Sequence, residues 1–203
     1  WCAIIPGKTD IALTLLEHPN ISESIINGIH QKFTPLLFAI NAKRTDIAIA
    51  LIKHEKIDVN QPDNDGYTPL LAAIDYNQPD IALKLLEHPS ISDSINKELG
   101  ATPLILAINK NQPDIVLELL KRNDIGPSIN QAEKDHGHTP LLDAIGTKQT
   151  DITLELLKRA DIDVNQPSKK HTPLLKAIGS NQTDIALKLL QRDDITPSIN
   201  TPN

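Results

Sequence analysis

DNDGYTPLLAAI, Asp63–Ile74, passes from a polar turn through Thr-Pro into an apolar run, and the chain writes it again as HGHTPLLDAI (His136–Ile145) and SKKHTPLLKAI (Ser168–Ile178). Thr68 suits an N-cap, because its hydroxyl can satisfy an orphan backbone N–H of a first helical turn. Pro69 then falls at the first helical position, where its missing N–H costs nothing and its fixed φ helps. Leu70, Leu71, Ala73 and Ile74 make a short apolar helix. NQPD, Asn77–Asp80, breaks it and opens a second helix, with Pro79 near its first position and Asp80 well placed in the helix dipole. Ile81, Ala82, Leu83, Leu85 and Leu86 make that second helix apolar around most of its circumference. Such a helix belongs between neighbours, not on a surface.

The unit recurs along the whole chain. Thr-Pro-Leu stands at Thr34, Thr68, Thr102, Thr139 and Thr172, with spacings of 34, 34, 37 and 33 residues. Asp-Ile starts at Asp10, Asp46, Asp80, Asp114, Asp151 and Asp184, and each Thr-Pro-Leu precedes its Asp-Ile by 12 residues. The unit is therefore rigid inside and elastic only in the connection that follows. A column of His18, His54, His88, Arg122, Arg159 and Arg192 ends the second helices and points to favourable charge at their C-termini. Asn27, Asn60, Asn96, Asn130, Asn165 and Asn200 close the units, as a turn-forming residue that tolerates positive φ would. The connections are a short IDVN form or longer forms such as ISDSIN and IGPSIN, and the extra length reads as tolerated loop drift.

The bulk properties bound the class. The 203 residues carry a net charge of −6 and are 39% hydrophobic, with mean hydropathy −0.23. That balance argues against a broad nucleic-acid surface, and no apolar run suits a membrane span. Cys2 is the single cysteine, which rules out an internal disulfide framework and fits a reducing, cytoplasmic setting. The chain begins at Trp1 and contains no methionine, so it reads as part of something longer. WCAII lacks the Thr-Pro start, and residues 200–203 open a turn without completing it, so further repeats or another domain are expected on both sides.

The turn, the Thr-Pro-Leu helix, the second helix and the DVN closure together resemble ankyrin repeats, in fixed order at a period near 33. The resemblance implies an all-α solenoid of stacked helix-turn-helix units with finger-like turns. It covers residues 1–203 as one ankyrin-repeat domain: a partial repeat at 1–28, repeats at about 29–62, 63–96, 97–133, 134–166 and 167–200, and the start of a further unit at 201–203. There are departures. Leu or Ile replaces the family's usual His after Thr-Pro-Leu, and Asn-Gln, Lys-Arg or Lys-Gln replaces its Gly-His between helices.

The resemblance also implies a protein-binding module that holds its partner on finger turns and first-helix residues along a concave side. Positions that vary within the fixed frame are the natural readers: Phe33, Tyr67, His138 and His171 before the threonine, Phe38 and Asp143 before the recurring alanine, and Asp75, Tyr76 and Lys110 at the end of the first helix. Every Phe and Tyr of the chain (Phe33, Phe38, Tyr67 and Tyr76) falls in these columns, within two adjacent repeats. Aromatics are preferred interface anchors, although gap filling would place them there too. His136, His138 and His171 could in principle gather round a metal, but surface variation is the favoured reading and no metal or cofactor is expected. Asn60 and Asn165 are candidates for asparaginyl hydroxylation, again as the resemblance implies.

No glycine-rich phosphate loop, H-E-x-x-H or spaced nucleophile set is present, so no catalysis is expected. The expected partner is another protein, with no nucleic acid, membrane insertion or small-molecule substrate. An alternative is a targeting or regulatory arm of a larger enzyme or secreted effector whose catalytic part lies outside this chain. The Asn-, Ile- and Lys-rich wording is similar to that of ankyrin proteins which intracellular bacterial pathogens deliver into host cells, and that would imply the host cytoplasm.

Overall fold

The computed structural model describes residues 8–30 and 32–195. Trp1, Cys2, Asn200 and the C-terminal residues 201–203 lie outside that range, and with them the expectations placed on both chain ends. The chain divides into two compact units, residues 1–99 and 100–203. Among the described residues all regular elements are helical.

The first unit contains α1 (Thr9–Leu16), α2 (Glu23–Asn27), α3 (Pro35–Asn41), α4 (Thr45–Ile52), α5 (Pro69–Asp75), α6 (Pro79–Leu86) and α7 (Ser92–Ile95). The second contains α8 (Pro103–Asn109), α9 (Pro113–Leu120), a 3-10 turn (Asn123–Ile125) leading into α10 (Gly126–Ile129), α11 (Pro140–Gly146), α12 (Thr150–Lys158), α13 (Pro173–Gly179) and α14 (Thr183–Leu190). In the first unit, α3 pairs with α4 and α5 with α6, while α3 packs on α5 and α4 on α6. The second unit repeats the rule, with α8, α11 and α13 in one layer and α9, α12 and α14 in the other.

The start of each first helix is the one the sequence demands. Thr34, Thr68, Thr102, Thr139 and Thr172 are extended at ψ 157–164°, and each hydroxyl accepts from the backbone N–H three residues on, at 3.2–3.4 Å. All five threonines are buried, so each cap also satisfies a polar group that water cannot reach. Ala39, Ala73, Ala107, Ala144 and Ala177 are fully buried, which lets neighbouring first helices approach closely.

The longer connections are not drift. They fold into α2, α7 and the turn leading to α10, and they bury Ile26, Ile91, Ile95, Ile125 and Ile129 almost completely. The short IDVN form reaches the same end by burying Val59, Ile162 and Val164. Extra length here supplies one more helical turn with its own apolar anchor.

The closing asparagines differ from expectation as well. Asn27 Nδ2 donates to the Lys56 carbonyl (2.7 Å) while its Oδ1 accepts from Asp58 N–H (2.9 Å). Asn130 makes the same pair with the Asp161 carbonyl and Asp163 N–H, both 2.7 Å. Each side-chain amide therefore fastens its own repeat to the next one's backbone, instead of shaping a local turn. Positive φ sits elsewhere, between the two helices of a pair, at Lys43, Asn77, Asn111, Lys148 and Asn181.

The histidines in the helix-ending column make local backbone contacts. The Nδ1 atoms of His18, His54 and His88 accept backbone N–H groups two residues on, at 3.1–3.3 Å. The arginines do carry charge to work. Arg159 forks onto Asp161 (2.8 and 2.7 Å) and sends Nη1 to the Leu120 carbonyl (2.8 Å); Arg192 does the same with Asp194 and the Leu157 carbonyl. That last carbonyl belongs to the preceding repeat's second helix, whose orphan C-terminal acceptors need donors.

Candidate functional site

Three of the finger turns are each built on one side-chain acceptor. In the first unit, Asp63 Oδ1 accepts from Asp65 N–H (2.9 Å) and Tyr67 N–H (2.8 Å), and the chain closes with Asp63 N–H on the Tyr67 carbonyl (3.1 Å). Gly66, at φ +86°, supplies the left-handed step this tight closure requires. The preceding finger is tied on through Asn64 N–H to the Lys32 carbonyl (3.3 Å) and Lys32 Nζ to Asp65 (2.7 Å). The side chain of Tyr67 is thus carried by a braced loop.

Two of the aromatic candidates meet. The rings of Tyr67 and Tyr76 lie 6.5 Å apart, tilted by 50°. The Tyr67 hydroxyl donates to Asp75 Oδ2 at 2.7 Å. Half-burial, reinforced by that carboxylate, pushes the phenol well above its ordinary value, so it remains a donor throughout the physiological range. Tyr76, at 38% exposure, is the open member of the pair. Phe33 and Phe38 are each half-buried, on either side of the Thr34 cap. A side chain that is partly buried and partly exposed can serve both packing and contact.

In the second unit, Lys110 is exposed at the end of α8, and the histidine candidates gather on two neighbouring fingers. Glu133 plays the part of Asp63: its carboxylate accepts from the N–H groups of Asp135 (2.6 Å), His136 (2.7 Å) and His138 (3.1 Å). Burial pushes the Glu133 carboxyl up, but the three N–H bonds outweigh it and hold the group below the usual carboxylate range. Ser168 does the same for the next finger, its Oγ accepting from the N–H groups of Lys170 and His171. Backbone and side chain join the two fingers, through Lys169 N–H to the His136 carbonyl (3.4 Å) and Lys169 Nζ to the Asp135 carbonyl (2.5 Å).

Asp143 corrects one expectation. It is 8% exposed and faces inward, with Oδ1 at 2.9 Å from His138 Nδ1 and Oδ2 accepting from Asn109 Nδ2 at 3.2 Å. Burial raises its carboxyl despite those two partners. It orients His138 from beneath and is not itself a contact surface. His136, His138 and His171, with Lys169, Lys170 and Lys176, line a cavity of about 300 Å³ over Ser168. Among the described residues no group of three or more His, Cys, Asp and Glu is placed to hold a metal.

Asn60 and Asn165 stand in the inter-repeat stitches: Asn60 Nδ2 donates to the Ser90 carbonyl, and Asn165 Nδ2 to the Asp194 carbonyl at 2.7 Å. Sequence reasoning missed the finger acceptors Asp63, Glu133 and Ser168. Their signal was present as an acceptor-bearing residue three to five positions before the variable residue.

Helix pairs at a period near 33, capped by Thr-Pro and joined by braced finger turns, define a helical repeat protein. The family model for ankyrin repeats (three copies) matches residues 1–96 and 90–168, and the chain belongs to that family. Among solved structures it is similar to the crystal structure of EF0377, an ankyrin repeat protein, at 24% identity over 92% of each chain and a TM-score of 0.68. That likeness shows the fold. No curated protein matches the chain. Ankyrin repeats are generally protein–protein interaction modules and typically non-catalytic. Among the described residues no helix is long and apolar enough to cross a membrane.

Proposed function

We propose that the chain reads a protein partner with the side chains that vary on its fixed frame: Phe33, Phe38, Tyr67, Asp75 and Tyr76 in the first unit, and Lys110, His138 and His171 in the second. One observation carries the reading. Tyr76 lies open beside Tyr67, whose hydroxyl is held by Asp75 and whose finger is braced by Asp63. A partner would therefore meet aromatic area that is already ordered, and little side-chain entropy remains to be lost on binding.

The test is crosslinking of the chain in its native cellular setting, identification of the captured protein, and titration of that protein against variants. Tyr76→Ala should weaken binding by about 2 kcal/mol, the scale of an aromatic interface anchor, with an unchanged circular dichroism spectrum. Tyr67→Phe keeps the ring and loses the tie to Asp75, so it separates ring contact from ring orientation. Undiminished affinity in Tyr76→Ala would remove the first-unit surface from the proposal.

A further inference from the structure

The cavity on the second unit departs from the charge of the chain as a whole. The chain carries −6, yet no carboxylate lines this cavity, whose walls are three lysines and three imidazoles. The nearby acids are committed elsewhere. Glu133 is bound to three backbone N–H groups and stands 3.5 Å from His136 Nδ1, Asp143 is buried against His138 and Asn109, and Asp135 stands exposed on the finger outside the lining.

The lysines are placed in different ways. Lys169 is anchored on the Asp135 carbonyl and bridges the two fingers. Lys176 lies across α11 where Gly146 has no side chain; a Cβ there would come within 3.0 Å of Lys176 Cε and 3.5 Å of its Nζ. Among the described residues, the ammonium groups of Lys170 and Lys176 have neither an ion-pair nor a hydrogen-bond partner. Two unpartnered ammonium groups, those of Lys170 and Lys176, thus line a small cavity that has no carboxylate in its own wall.

We propose that this cavity seats a phosphorylated side chain of the protein partner, a proposal that rests on the interaction reading above. A phosphate ester brings nearly two negative charges and three strong acceptor oxygens, and so uses several converging donors at once. A single carboxylate, with one charge and two oxygens, would leave most of them unanswered. At about 300 Å³ the cavity suits a side chain and not a folded domain. A nucleic-acid strand fits less well, because no Phe, Tyr or Trp lines the cavity for bases to stack on and the chain as a whole repels a polyanion.

The experiment measures retention of the whole chain on an immobilised phosphoserine peptide library with randomised flanks, beside its unphosphorylated twin, with inorganic phosphate and a single-stranded oligonucleotide as competitors. Retention by the phosphorylated library alone is expected, weakening with added salt. Amide NMR of a selected phosphopeptide complex should place the shifts at residues 136–138 and 168–171. Lys170→Ala with Lys176→Ala should weaken that complex about tenfold for each charge-assisted hydrogen bond removed. Gly146→Leu, which displaces Lys176 without removing its charge, should weaken it as well. Equal retention by the twin library, shifts elsewhere, or full affinity in the double lysine variant overturns the proposal. Displacement by inorganic phosphate at the peptide's own affinity assigns the cavity to free phosphate, and preferential oligonucleotide binding assigns it to nucleic acid; either overturns the partner assignment. Loss of a captured protein in Tyr76→Ala without phosphopeptide retention sinks the cavity alone. Phosphopeptide bound at the cavity with no protein captured through Tyr76 sinks the first-unit surface alone.

Discussion

Lys43, Asn77, Asn111, Lys148 and Asn181 hold left-handed backbone at φ 53–58°, each directly after a first helix. The family's usual residue there is glycine, so the chain accepts a local penalty at every repeat. It is smallest for asparagine, whose short polar side chain suits this region, and larger for lysine, at roughly 1 kcal/mol. Lys43→Gly and Lys148→Gly should therefore each raise stability by about 0.5–1 kcal/mol in urea unfolding, while Asn111→Gly changes it less. Asp143 makes a second residue-scale case. Its carboxyl is raised in the folded state, so the folded chain binds more protons than the unfolded one between the unfolded value near 4 and the folded one. Stability attributable to this group is present at low pH and falls as pH rises through that window. Asp143→Asn, whose amide can still accept from Asn109, should flatten that part of the stability–pH curve without lowering stability at neutral pH.

At the scale of an element, the Thr-Pro start is the most legible feature, because cap, proline and helix lie within four residues. Thr139→Ala should cost about 1 kcal/mol, read as a lower midpoint in chemical denaturation, since the hydroxyl accepts from Leu142 N–H in a buried setting. The arginine pins behave differently with pH. Arg159 and Arg192 hold Asp161 and Asp194 below the usual carboxylate range. A depressed folded value gives stability that is present above about pH 4 and lost as pH falls further. Both aspartates are about half exposed, so this contribution is small and weakens in salt. Arg159→Ala should nevertheless cost about 1 kcal/mol at neutral pH, chiefly through the abandoned Leu120 carbonyl. That carbonyl lies 39 residues from the arginine. A helix-dipole argument sees only the local turn, and so it could not find this role.

At the scale of the whole molecule, burial is set by register within the stack. Ile145 is fully buried, whereas Ile178, the equivalent residue one repeat later, is 58% exposed. Ile145→Ala should cost about 3 kcal/mol and Ile178→Ala under about 1 kcal/mol, measured side by side in urea. Periodicity made this layering readable in advance: helix pairs, buried alanines and the apolar second helices all follow from one repeated pattern. The candidate site was legible to a lesser degree. The variable columns named Tyr67, Tyr76, His138 and His171, but that Asp143 turns inward depends on Asn109, a neighbour 34 residues away. The folding of ISDSIN and IGPSIN into helical turns likewise depends on apolar space beneath Ile91 and Ile125, which a loop's composition does not display.

The stitches of Asn27, Asn130 and Arg159 end on a neighbour's main chain, and so does one from Gln149, whose Nε2 donates to the Ile108 carbonyl at 2.7 Å. Main-chain groups are the same whatever a repeat's sequence. At these four points a repeat recognises the geometry of its neighbour and not its identity, which is left to side-chain ties such as Lys32 to Asp65 and Asn109 to Asp143. Such a chain can grow by copying whole repeats, and each copy can then drift at its fingertip while still fitting its place in the row. The same property makes a finger and its first helix a transferable unit, open to exchange between positions by recombination or by design.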